Sequence, residues 1–437
     1  MPVCLAISDI DRPCRCKSRI IIISPSLITE IPLSTIERSI GDHAPPVFRG
    51  APRKTGDSAK LGKIQTALLG SFASAATLVW LCVLSGADLP SAFTPRDWHV
   101  HTMLFGAIPA IIAGFSLTAV SNWTGRPPVS SRLLLALVIL WLAGRAAISI
   151  SAIIGFWPAA TIDLLFLPAL ALVFGREVIA AGNWRNLRVL ILIVLIALAD
   201  FGFQIEVAST GLAETSVRAG IAFVLVLVML IGGRIVPAFT RNWLKAREVT
   251  RLPAPFSALD TVAMTVSLAA VGVWAVLPDH LAAAALLLAA AGLNAARLAR
   301  WRGLATRSEP LLFVLHVAFA TVPLGFAAVS AGIIAPALVE PAAALHVWTA
   351  GTFGLMTLAV MIRAARGHSG RPLTAGVFET ALFVLVLVGT FARVAASYAG
   401  GTHLSLLNVG GLAWAAAFIG FAAGYARLLL TRRRSAS

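Results

Sequence analysis

The chain has 437 residues, 58% of them hydrophobic and only 12% charged, with a mean hydropathy of +0.88. That balance excludes a soluble globular protein of this length, and apolar runs near 20 residues exclude a transmembrane barrel, whose strands would alternate over about ten residues. The net charge of +16 is no nucleic-acid footprint, because the basic residues are placed by membrane topology.

Residues 1–63 come first and carry ten of the 35 basic residues. Their apolar stretch, "RIIIISPSLITEIPL", is too short for a secretory signal and is cut by Pro25 and Pro32. A mostly disordered cytoplasmic extension is expected there. Cys4, Cys14, Cys16 and Cys82 give no disulfide framework, and a lone Cys14-Arg-Cys16 is a weak metal signal.

From residue 64 to 430 the sequence predicts an all-α polytopic membrane domain. Its twelve spans fall at about 64–86, 99–121, 132–150, 153–174, 188–205, 218–236, 258–277, 280–297, 310–332, 341–362, 375–397 and 404–427. Residues 431–437 form a basic tail. Loops after even-numbered spans hold nearly all the loop Lys and Arg, with Arg96 and Arg218 the exceptions. The positive-inside rule then puts both termini in the cytoplasm.

The second and tenth spans echo one another. Aligned on His101 and His346 without a gap, Gly106 meets Gly351, and Thr124-Gly-Arg-Pro meets Ser369-Gly-Arg-Pro 23 residues on. Pro95 and Pro341 stand at first helical positions, which puts both histidines about 8–9 Å along their helices from the outer mouth. Trp98 and Trp348 are expected at the interface. The sixth span closes comparably in "GGRIVPAFTRNW", which suggests three four-helix pseudo-repeats.

Imidazole is a haem-iron and copper ligand, so His101 and His346 are candidate axial ligands of a haem held between helices. Successive helical residues turn about 100°, so His99 and His101 diverge by about 200° and serve different centres unless the helix start is distorted. His99 is a candidate for a second metal, a propionate contact or the aqueous rim. His316 lies deep in the ninth span, where an ionisable group is functional by default. His280, His368 and His403 read as loop or helix-end residues. Of the buried charges Arg145, Asp163, Asp200 and Arg393, the first two form a plausible pair across spans three and four, and Arg393 is placed to meet a haem propionate.

"WHVHTMLFG", "IAGFSLTAVSNWTGRPP", "GGRIVPAFT" and "GLMTLAVMIRAARGHSGRPL" together closely resemble the NnrS family, over about residues 95 to 425. The resemblance implies a twelve-span bacterial inner-membrane protein carrying haem and copper, produced in the response to nitric oxide and denitrification, and easing nitrosative stress. Thr102 stands where the family commonly has a carboxylate in "HxHEM", and "FRGAPRKTGDSAKLG" replaces a usual Arg-Pro-Phe-Phe stretch. The layout is also similar in outline to haem-copper oxidase and nitric-oxide-reductase catalytic subunits. Their copper ligands come from spans six and seven, which have no histidine here, so the binuclear centre is not expected.

The leading expectation is thus a haem protein, with copper as a further metal, that protects against nitric oxide or nitrosylated metal species. His101, His346 and Arg393 would bind the cofactor, and His99, His101, His316 and His346 are the metal candidates. Its electron donor is open, and no catalytic residue is assigned. The alternative is a secondary transporter using the same histidines and charges as proton relays.

Overall fold

The computed structural model describes residues 56–430, and all regular structure among them is helical. The expected extension lies almost wholly outside the described residues, as do His43, Cys4, Cys14, Cys16 and the basic tail. The described part of the first helix runs over Gly56–Leu84.

Among the described residues twelve principal helices follow in order. They are α1 (Gly56–Leu84), α2 (Pro95–Thr124), α3 (Ser131–Ser149), α4 (Phe156–Ala180), α5 (Trp184–Thr210) and α6 (Thr215–Lys245). Then come α7 (Ala258–Val276), α8 (Leu281–Ala299), α9 (Pro310–Ile334), α10 (341–369), α11 (Val377–Ala396) and α12 (His403–Leu430). Eleven are long and apolar enough to cross a membrane, and the apolar part of α1, Gly70–Leu84, is shorter. Large apolar side chains such as Ile139, Leu172, Leu198, Leu288 and Phe391 are exposed along the spans. In water such a surface would aggregate, so the bundle is a multi-pass membrane protein. α12 packs along both α11 and α1, bringing the first and last helices side by side.

The echo between the second and tenth spans extends to backbone geometry. Each helix starts at its proline, with Thr94 or Glu340 accepting a backbone N–H as the cap. Immediately after His101 and His346 both helices widen into a π segment, Thr102–Ala107 in α2 and Val347–Phe353 in α10. Each ends on a left-handed glycine, Gly125 at φ 68° and Gly370 at φ 69°. The widening has a local cause. Pro109 has no N–H for the Phe105 carbonyl, and the corresponding stretch of α10 contains Gly351 and Gly354. α6 stays α-helical throughout, so this break marks a pair and not all three pseudo-repeats.

A π turn leaves carbonyls for other donors, and tryptophans from neighbouring helices use them. Trp141 of α3 donates to the Gly106 carbonyl at 3.0 Å, and Trp414 of α12 donates to that of Ala350 at 3.3 Å. Trp98 and Trp348 are not interfacial as expected: both are buried, and Trp348 donates to the Val322 carbonyl at 3.1 Å. Trp348 lies inside the π segment, where the wider turn aims it into the bundle.

Candidate metal centres

His99 and His101 point to opposite sides of α2, as a two-residue spacing on a helix requires. The His99 ring stacks on Trp80 of α1, centroids 4.4 Å apart, while His101 lies among Phe93, Phe105 and Phe203. Two clusters therefore form, one on each side.

The His101 cluster is made by four helices. His101 Nε2 is 3.0 Å from Asp163 Oδ2 of α4 and 3.1 Å from Asp200 Oδ1 of α5. It is also 3.0 Å from Gln204 Nε2, one helical turn beyond Asp200. Arg145 of α3 donates to Asp163 Oδ1, so the pair expected across spans three and four is formed. Gly106 lets the guanidinium lie against α2, and a Cβ there would collide with it. His101, Asp163, Asp200 and Gln204 are all essentially buried.

The second cluster joins α2 to α10 and α11. His346 Nδ1 donates to the Ala342 carbonyl at 2.6 Å, which leaves Nε2 with a free lone pair. His99 is near enough to act electrostatically on His346, and Arg393 acts on both. Arg393 Nη1 donates to Ser397 Oγ at 3.2 Å, and that hydroxyl lies 3.2 Å from Glu340 Oε2. His99 Nδ1 is buried without a hydrogen-bond partner.

The structure places His99, and not His101, within electrostatic range of His346 and Arg393, whereas the sequence predicts His101 and His346 as the pair. His101 Nε2 is turned instead toward Asp163 and Asp200, and the charges acting on it are those of Asp200, Arg145 and Asp97. The sequence marks Asp200 only as a buried charge and does not single out Gln204. Their spacing of four on α5 was the available signal, since it puts both on one helical face.

His316 stands apart, toward the end of α9 nearer Gly303 and Trp301. Its Nε2 is 2.8 Å from Thr240 Oγ1, whose own proton goes to the Val236 carbonyl at 2.9 Å. The imidazole is therefore the donor, an interhelical hydrogen bond from α9 to α6. Thr240→Val should leave that buried N–H unpaired and lower stability by about 1–3 kcal/mol, read as a reduced thermal midpoint in detergent. His280 caps α8 by accepting from the Ala282 N–H, and His403 Nδ1 lies 2.7 Å from the Ala396 carbonyl.

An apolar-surfaced helical bundle with imidazole and carboxylate groups buried between its helices defines a multi-pass membrane protein with a candidate metal-binding cluster. The chain belongs to the NnrS family, whose model, described as NnrS protein, matches residues 67–433. No curated protein matches it in sequence.

Proposed function

We propose that the chain is a haem-bearing inner-membrane protein of the nitric oxide response, with the haem held at the His346 cluster. The observation that carries this reading is the His346 side chain. An imidazole whose Nδ1–H is tied to a carbonyl presents Nε2 as a fixed ligand, the usual second-shell arrangement for a metal-bound histidine. His99 replaces His101 as the α2 imidazole on this side, and Arg393, steadied by Ser397 and Glu340, is placed for a propionate.

Bound haem would supply an iron able to take up nitric oxide or pass an electron. The chain's own residues orient the ligand, match the propionate charge and keep the site lined by Trp80 and the α2 and α10 backbones. Family membership supports the nitric oxide link. The basic residues clustered in loops after even-numbered helices support an inner-membrane topology with both termini cytoplasmic and this cluster in the outer half. Copper, if held, would draw on the same imidazoles.

The test is the reduced-minus-oxidised absorption spectrum of the detergent-purified full chain, with and without nitric oxide, beside His346→Ala and His99→Ala. A Soret band lost in His346→Ala and shifted in His99→Ala, with a wild-type band that responds to nitric oxide, is the expected result. A colourless, folded wild type from haem-replete cells would overturn the reading.

A further inference from the structure

We infer that His101, Asp163 and Asp200 form a second, non-haem site for a divalent first-row transition ion of the iron(II), manganese(II) or zinc(II) kind. One ligand atom from each lies within 4.8 Å of the other two. The three side chains are 0%, 0% and 3% exposed, so no solvent ion balances their charge.

Hydrogen bonding alone leaves this cluster incomplete. His101 Nε2 has at most one proton, yet it faces Asp163 Oδ2 at 3.0 Å, Asp200 Oδ1 at 3.1 Å and the Gln204 amide at 3.0 Å. Asp163 Oδ2 ends with no hydrogen bond, and neither does Gln204 Oε1, although both are buried. Buried acceptors of this kind are seldom left bare.

A metal resolves the conflict. Bonds of about 2.1 Å at right angles separate neighbouring donors by about 3.0 Å, which is the spacing of His101 Nε2 from each carboxylate, and the two carboxylates offer oxygens within 4.8 Å of each other. One imidazole and two carboxylates form an oxygen-rich donor set, with one histidine fewer than the two-histidine, one-carboxylate triad of mononuclear iron(II) sites, and such a set suits hard to borderline divalent ions better than copper. Half a turn of the Gln204 amide would present its oxygen as a fourth donor. Arg145 holds the second oxygen of Asp163 and so fixes the carboxylate's orientation. Phe93, Phe105 and Phe203 ring the imidazole at 5.9, 5.7 and 5.0 Å, giving an apolar wall. A neutral imidazole, two carboxylates and one guanidinium sum to a single negative charge, which favours a cation.

The inference is independent of the haem reading, because the two clusters lie on opposite sides of α2. Metal content is measured on the full chain purified without chelator and loaded anaerobically with excess iron(II), manganese(II) or zinc(II). The haem spectrum is recorded on the same samples. One non-haem ion per chain is expected in the wild type and in His346→Ala, falling at least fivefold in Asp200→Asn and Asp163→Asn with any haem band unchanged. An ion retained in both Asp variants, or a wild type that binds none, overturns the site. Should the Asp variants not fold, cobalt(II) titration of the wild type decides. Visible d–d bands saturating at one equivalent support the site, and their absence overturns it.

Discussion

Arg145→Met is expected to destabilise the bundle by about 3–5 kcal/mol, the usual cost of removing one partner of a buried ion pair. The guanidinium is 6% exposed and Asp163 is fully enclosed. Without Arg145, two carboxylates remain buried around one imidazole. The double variant Arg145→Met/Asp163→Asn should recover a large part of the loss, because it removes the uncompensated charge as well. Equilibrium unfolding in mixed detergent micelles reads both effects. Equal stability of the single and double variants would mean that Arg145 acts through packing against Gly106 and not through charge. The structure makes the coupling specific: Trp141 and Arg145, one turn apart on α3, both bear on Gly106, so α3 is fastened to the π segment of α2 by an indole and a guanidinium together.

Gly325→Leu should abolish accumulation of folded protein, and Gly325→Ala should lower stability by about 1–3 kcal/mol through overpacking. A Cβ on Gly325 of α9 would run into the indole of Trp348. That indole cannot give way. It is fully buried, bonded to the Val322 carbonyl, and packed edge-on against Trp274 at 5.9 Å and Phe326 at 5.1 Å. Relief would have to come from α10, and Trp348 is two residues from His346, so Gly325→Ala should also reduce any haem occupancy. Gly272 is the control, since nothing lies within 4 Å of a Cβ built there. Alanine at that helical position should be neutral or stabilising by about 0.5–1 kcal/mol. Thermal midpoints by fluorescence-detected size exclusion separate the two cases.

The spans were legible because bilayer thickness writes itself into sequence as apolar length. The pairing of Arg145 with Asp163 was legible too, since adjacent spans joined by a short loop must lie together and neither charge can remain alone. The divergence of His99 from His101 followed from helical pitch. What each histidine meets did not follow. Matching depth and register in α2 and α10 suggested that His101 and His346 face one another, but register along a helix says nothing of which neighbour lies across from it. Asp200 and Gln204 come from α5, whose approach to α2 is set by the packing of Phe105 against Phe203 and by the whole bundle. The π segments were equally hidden, because a helix with one extra residue per turn keeps the same apolar composition as a regular one.

Those two widened turns bear on how these two helices can vary. A π turn is in effect a single residue inserted into an α-helix and retained. The N-terminal, histidine-bearing ends of α2 and α10 are therefore offset in phase from the C-terminal halves that end at Gly125 and Gly370. Removing one residue within Thr102–Ala107 would restore a regular helix and swing His99 and His101 about 100° around its axis, away from both of their clusters. Point changes in the C-terminal halves carry no such penalty. Length in the N-terminal part of these two helices is thus the more tightly constrained property, and residue identity in the C-terminal part the freer one.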